Sequence, residues 1–259
     1  MIRVCVAGIT GWTGDPIARA IAGTDDLELV SGVSRSSAGT TLEDLAVPVF
    51  GSVWEALETV GADVIVDYTD AAVVKENVMA ALARAVSVVV GSSGLTADDF
   101  AEIDERARTA GVGVIAAGNF SLLAALLARS AADIARHVPS WEILDYASAS
   151  KPDVPSGTSR ELAERLGETG EPALGHPLET LHGPVEARGA TVAGTQIHSV
   201  RLPSYVVSTE IVFAAPGERL ILRHDPGESP APYVAGTLLA IRSVRDRVGL
   251  TRGLDALID

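Results

Sequence analysis

A chain of 259 residues, 47% hydrophobic and 21% charged, is long enough to bury a large core and too apolar to be a disordered segment. Its formal net charge of -14 repels phosphate polymers and anionic membranes, so neither nucleic acid nor a membrane is expected as a partner. A dinucleotide is compatible with that charge, because backbone N–H groups at a helix start hold phosphates locally.

The first strand is expected at residues 2–7, and it carries the only cysteine, Cys5, inside the apolar run Val4-Cys5-Val6. One buried thiol makes no internal disulfide and no thiolate metal cluster. Further strands are expected at 27–33, 64–68, 86–90 and 112–116, alternating with helices at 15–22, 53–59, 71–85 and 97–110. Such alternation is the pattern of a parallel sheet flanked by helices. Thr96 is placed to cap the last of these helices, with Asp98 and Asp99 in a first turn that favours negative charge.

From Phe120 the texture changes. An apolar helix at 121–137 and a strand at 141–146 lead into a Pro/Gly/Ser segment at 151–158, then a short helix at 159–167. Residues 168–190 read as a long loop, followed by strands at 195–202, 206–214 and 219–224 and a helix at 233–248. The expected fold is α/β: a Rossmann-type parallel sheet formed by residues 1–119 and 231–259, and a second α+β domain at 120–230 with a mixed or antiparallel sheet. No apolar stretch reaches membrane-spanning length and the N-terminus lacks a signal-peptide core, which gives a cytoplasmic expectation.

The turn Gly8-Ile9-Thr10-Gly11-Trp12-Thr13-Gly14 follows a strand and opens a helix, the context in which a glycine pattern becomes a dinucleotide site. Gly8 is assigned the tight turn, Gly11 the close approach of a pyrophosphate and Gly14 the packing of helix on strand. Thr10, Trp12 and Thr13 border the same phosphates. At the end of the second strand, Ser34-Arg35-Ser36 offers a guanidinium between hydroxyls and no carboxylate. That favours the 2′-phosphate of NADPH over the free ribose of NADH, which remains possible.

Near the middle, Ser156-Gly157-Thr158 precedes a helix and forms an anion site from N–H groups and hydroxyls, with Lys151 close by. Lys151 and Lys75 are the only lysines among 20 basic residues, and a lysine, unlike arginine, gives up a proton readily when its surroundings demand it. The five histidines, His137, His176, His182, His198 and His224, lack zinc-site spacing, and no metal is expected.

Six segments in order resemble one family, the 4-hydroxy-tetrahydrodipicolinate reductases of the lysine and diaminopimelate pathway. They are the turn at Gly8, Asp67-Tyr68-Thr69, Gly91-Ser92-Ser93-Gly94, Ala117-Gly118-Asn119-Phe120-Ser121, Lys151-Pro152-Asp153-Val154-Pro155-Ser156-Gly157-Thr158 and Ile197-His198-Ser199-Val200-Arg201-Leu202. The resemblance implies that Asp67, Tyr68, Thr69, Gly91, Ser92, Ser93, Asn119 and Phe120 lie at the nicotinamide cofactor. It also implies that Ser93, Ser156, Gly157 and Thr158 bind the substrate carboxylate, that Lys151 is catalytic, that the last helix returns to the first domain and that the protein is a homotetramer.

The chain departs from the family at one place above all. Where the family reads E-x-H-H-x-x-K, this sequence has Asp145-Tyr146-Ala147-Ser148-Ala149-Ser150-Lys151, and neither Ala147 nor Ser148 titrates near neutral pH. Thr209 and the run Pro230-Ala231-Pro232-Tyr233 depart from the family pattern as well. The expectation is therefore an NADPH-dependent reductase of a small carboxylate-bearing imine, enamine or conjugated acceptor related to the lysine-pathway intermediate. Two alternatives stand beside it: the family's own reaction carried by Lys151 without imidazole, and a non-catalytic NADPH sensor.

Overall fold

The computed structural model of the chain describes residues 1–258. It divides into two compact units, residues 1–122 with 230–259 and residues 123–229. The first begins with β1 (Ile2–Ala7), α1 (Gly14–Ala22), β2 (Leu27–Val33), β3 (Thr41–Leu42), β4 (Val47–Phe50) and α2 (Val53–Thr59). It continues through β5 (Val64–Asp67), α3 (Val74–Leu82), β6 (Ser87–Val90), α4 (Ala97–Ala110) and β7 (Gly113–Ala116). The second holds most of α5 (Leu122–Ala135), then β8 (Trp141–Ala147), α6 (Gly157–Gly167), β9 (Ala190–Val192), β10 (Thr195–Arg201), β11 (Val207–Ala215) and β12 (Glu218–His224). The chain ends in the first unit with α7 (Ala231–Val244) and β13 (Gly249–Arg252).

The first sheet runs β13-β7-β6-β5-β1-β2-β4-β3, parallel except for the β3–β4 pair. Its central strands, such as Val64-Ile65-Val66 and Val88-Val89, are buried on both faces, as a parallel sheet covered by helices requires. From β1 the chain proceeds to β2 on one side and later to β5 on the other, so the sheet reverses direction beside β1. Ligands of open α/β sheets bind at the carboxyl ends of strands at such a point.

The second sheet runs β12-β11-β8-β10-β9, with β8 and β10 parallel and the other pairs antiparallel. Trp141, Ile143, Ile197, Ile211 and Phe213 form its apolar face, on which Leu162 and Leu166 of α6 are buried. Each such leucine contributes about 1.5–3 kcal/mol by leaving water.

Several elements differ from the sequence expectation, among them the short strands β3 and β9, which it does not include. β4 contains Pro48, yet Val47 and Val49 are buried and the strand pairs with β2 and β3. The last helix stops at Val244 rather than at 248: Gly249, at φ +86°, turns the chain, and β13 joins β7 in parallel. The expected loop at 168–190 holds two short 3-10 turns, Leu178–Thr180 and Val185–Arg188.

Candidate functional site

The glycine turn is built for backbone proximity. Gly8 has φ +82°, and its N–H donates to the Val33 carbonyl at 2.9 Å. A Cβ on Gly8 would lie 2.2 Å from the Tyr68 carbonyl oxygen, and one on Gly14 would lie 2.0 Å from the Gly8 carbonyl oxygen. Gly11 is less constrained, with 3.0 Å between its hypothetical Cβ and the Gly8 oxygen. Thr13, before α1, makes no side-chain cap, so the helix start relies on other groups to meet its first-turn N–H donors. The cradle therefore fits a dinucleotide diphosphate: glycines where a side chain would collide, and a helix start without a side-chain cap.

The second strand ends in a chain of hydroxyls. Thr10 Oγ1 lies 2.9 Å from Ser34 Oγ, which lies 3.2 Å from Ser36 Oγ. Arg35 beside them is 74% exposed and loosely paired with Asp70 at 3.4 Å. Trp12, also exposed, stands edge-on to Tyr233 with ring centroids 6.3 Å apart.

Several residues that the resemblance placed at the cofactor bond to one another at the ends of β5 and β6. Asp67 is fully buried: its Oδ1 accepts from Thr69 Oγ1 (2.7 Å), the Thr69 N–H (3.1 Å) and Ser92 Oγ (2.5 Å), and its Oδ2 accepts from Asn77 Nδ2 (2.8 Å). A carboxylate consumed this way braces the ends of β5 and β6 and presents no oxygen to a ligand. The hydroxyls of Thr69 and Ser92 are spent on it. Tyr68 donates to Thr237 Oγ1 at 2.7 Å, since Thr237 itself donates to the Tyr233 carbonyl. Phe120 is 2% exposed, with its ring 6.0 Å from that of Tyr68. Asp67 and Phe120 are thus buried, Tyr68, Thr69 and Ser92 are half-buried with their hydroxyls bonded within the protein, and Ser93 is exposed at the loop beside half-buried Gly91. Asn119 Oδ1 accepts the Ser121 N–H at 2.8 Å and is half-buried.

In the second unit, Ser156 caps α6, its hydroxyl accepting the Ser159 N–H at 3.3 Å. It is buried, and its own N–H donates to Asp145 Oδ2 at 2.9 Å, so its polar groups serve the helix rather than a ligand. Gly157 differs: a Cβ there would meet nothing within 4 Å, so open space lies at the first turn of α6. Thr158 is half-buried beside it. Lys151 is half-buried, with Nζ 2.9 Å from Asp153 Oδ1 on the segment leading into the helix. The positions where the family has imidazoles hold Ala147, which is buried, and Ser148, whose hydroxyl lies 3.0 Å from that of Ser150.

Sequence reasoning missed the centre of this region, Asp145. Fully buried on β8, it accepts from Ser156, Ser159 Oγ (3.1 Å), Ser199 Oγ (2.9 Å) and Arg201 Nη2 (2.8 Å). Burial alone would raise its carboxyl, but the bonds from Ser156, Arg201 and Ser199 hold it below the usual carboxylate range. The signal was in the alternation: Trp141, Ile143, Asp145 and Ala147 share one strand face, and a carboxylate among apolar neighbours requires partners. Ser199, Asp145, Thr209 and His224 stand in register across four strands. His224 is buried, which holds its imidazole below its ordinary value. His198 faces the opposite side of the sheet, paired with Glu142 at 2.7 Å. Cys5 is buried in the first sheet, and burial pushes its thiol up to about 12, so it is no nucleophile near neutral pH.

A switch-point glycine turn on a doubly wound sheet, joined to a second unit with a lysine beside a helix start, defines an oxidoreductase that works with a nicotinamide cofactor. The family models for the N-terminus and the C-terminus of dihydrodipicolinate reductase match residues 2–120 and 121–257. The chain belongs to the dihydrodipicolinate reductase family. It is 32% identical over 267 residues to the 4-hydroxy-tetrahydrodipicolinate reductase of Listeria monocytogenes serotype 4b, covering all of both chains. With the enzyme of that name from Beutenbergia cavernae it shares 38% over 264 residues, covering 100% of this chain and 99% of the other. The solved dipicolinate-bound dihydrodipicolinate reductase of Paenisporosarcina sp. TG-14 superposes with a TM-score of 0.79 at 29% identity over the whole of both chains.

Proposed function

We propose that this chain uses NADPH to reduce a small carboxylate-bearing imine, enamine or conjugated acceptor, related to but distinct from the lysine-pathway intermediate. The observation that carries the reading is the pairing of a retained Lys151 and an open α6 start with Ala147 and Ser148 at the imidazole positions. In this reading the acid chemistry differs from the family's while a carboxylate site at the start of α6 is kept.

In this reading Gly8, Gly11 and Gly14 admit the cofactor diphosphate, with Thr10, Trp12 and Thr13 around it. Arg35, Ser34 and Ser36 hold the 2′-phosphate, which is why NADPH is preferred to NADH. Gly91, Ser93 and Asn119 border the nicotinamide end, braced from behind by Asp67, Ser92, Thr69, Tyr68 and Phe120. When bound, the cofactor supplies the hydride. The first turn of α6 at Gly157 and Thr158 holds a substrate carboxylate through N–H groups and the helix dipole. Lys151, oriented by Asp153, donates a proton to the reduced substrate or stabilises its developing negative charge.

A second reading, the family's own reaction with Lys151 as sole acid, is favoured by full-length relatives of that name. General acids contribute roughly 10²–10⁴-fold, so such an enzyme would be slow. Titrating the protein with NADPH, NADH and dipicolinate, a planar dicarboxylate, tests the binding part: NADPH tighter than NADH, and dipicolinate bound. Failure to bind dipicolinate would remove the carboxylate site from the account. The reading includes a cytoplasmic homotetramer, supported by the exposed Leu220 and Ile221 on β12, an edge strand of the second sheet. Among the described residues no helix is long and apolar enough to cross a membrane, and no group of three or more His, Cys, Asp or Glu could hold a metal ion.

A further inference from the structure

Arg201, at the end of β10, joins two parts of the second unit that the sequence separates. Its Nη2 donates both to Asp145 Oδ2 at 2.8 Å and to the Asp153 carbonyl at 2.7 Å, while Nη1 donates to the Val200 carbonyl at 3.0 Å. Asp145 in turn accepts the Ser156 N–H and the Ser159 hydroxyl, which fixes the first turn of α6. Asp153 carries Lys151 on its carboxylate. One guanidinium nitrogen is therefore shared between the group that anchors the anion site and the residue that tethers the ammonium.

We propose that Arg201 is a positioning residue that sets the separation between the Lys151 ammonium and the start of α6. This rests on the reading of those two features as the substrate-facing groups. Arg201 has a second effect of the same sign. Asp145 sits directly behind the helix start that receives a carboxylate, and its negative charge would oppose that anion if the guanidinium did not balance it. The planar fork is what allows two acceptors to be held in one geometry; a lysine at this position keeps the charge but not the directions.

The test is Arg201→Lys, assayed for NADPH affinity, dipicolinate affinity and steady-state kinetics on whichever acceptor the wild-type protein reduces. The expected result is a folded protein with unchanged NADPH affinity and a kcat lowered about 10–100-fold, because a small displacement of an acid from its target costs rate steeply. KM should change much less than kcat. Should Arg201→Lys fail to fold, the double variant Asp145→Asn/Arg201→Met removes both charges together and should show the same loss of kcat. Wild-type kcat in a folded Arg201→Lys, or a loss that follows only the melting temperature, would overturn the proposal. A wild-type protein with neither turnover nor dipicolinate binding would remove the underlying reading and this proposal with it; an active wild type with an unaffected variant would remove the proposal alone.

Discussion

Ser92 Oγ donates to Asp67 Oδ1 at 2.5 Å, joining the loop after β6 to the end of β5. The same oxygen accepts from Thr69, and the other accepts from Asn77 on α3, so one buried carboxylate closes the carboxyl end of the first sheet. Asp67→Ala leaves several donors buried without a partner, each costing about 1–3 kcal/mol. Urea unfolding should show a loss of about 3 kcal/mol or more, with NADPH binding weakened only through the disturbed loops. A variant of wild-type stability that has lost cofactor affinity would instead make Asp67 a direct contact.

Asp145 gives the second unit a pH dependence of definite sign. Its folded-state pKa lies below the unfolded value of about 3.9, so the native state binds fewer protons. The stabilisation is present above about pH 4 and lost as pH falls through the lower folded value. Urea midpoints measured from about pH 5 down to about pH 3 should fall, and Asp145→Asn should make that fall shallower while lowering the midpoint at neutral pH.

Two glycines should respond oppositely to a methyl group. Gly14→Ala places Cβ against the Gly8 carbonyl and should distort the turn, lowering both stability and NADPH affinity. Gly157→Ala meets no atom of the protein, so stability should hold or rise by up to about 1 kcal/mol from helix propensity. Its cost should appear only in dipicolinate affinity, measured by calorimetry beside an unchanged NADPH titration.

Arg35→Ala should weaken NADPH binding about 10–100-fold, the worth of one or two charge-assisted hydrogen bonds, and leave NADH nearly unaffected. Equal losses for both cofactors would place Arg35 away from the 2′-phosphate.

The alternation of strands and helices, the turn from Gly8 to Gly14 and the Thr96 cap were legible because each depends on local periodicity or local backbone chemistry. In α4 the cap is reciprocal, Thr96 accepting the Asp99 N–H while the Asp99 carboxylate accepts from Thr96. β13 was not legible: Leu250 and Thr251 become a strand only because β7 offers an edge, a long-range event. Pro48 disguised β4 in the same way, as its place near the sheet edge tolerates the missing donor. At the candidate site, residue types after β5 and β6 point to loops at the carboxyl ends of those strands but not to the direction of each side chain. Asp67 and Phe120 are buried and the Ser92 hydroxyl bonds to Asp67, which motif spacing does not encode. Arg201 lies within the segment Ile197 to Leu202, but its bond to Asp145 follows only from the pairing of β10 with β8.

The proposed reductase would work on an acceptor other than the lysine-pathway intermediate, with Lys151 as its acid. The most direct measurement is NADPH oxidation by the purified protein with freshly generated 4-hydroxy-tetrahydrodipicolinate, beside a panel of small cyclic and acyclic imino acids, repeated with Lys151→Ala. The expected result is turnover of another panel member in preference to the lysine-pathway intermediate, reduced roughly 10²–10⁴-fold in Lys151→Ala with NADPH binding intact. Rapid turnover of 4-hydroxy-tetrahydrodipicolinate, or full activity in Lys151→Ala, would contradict it.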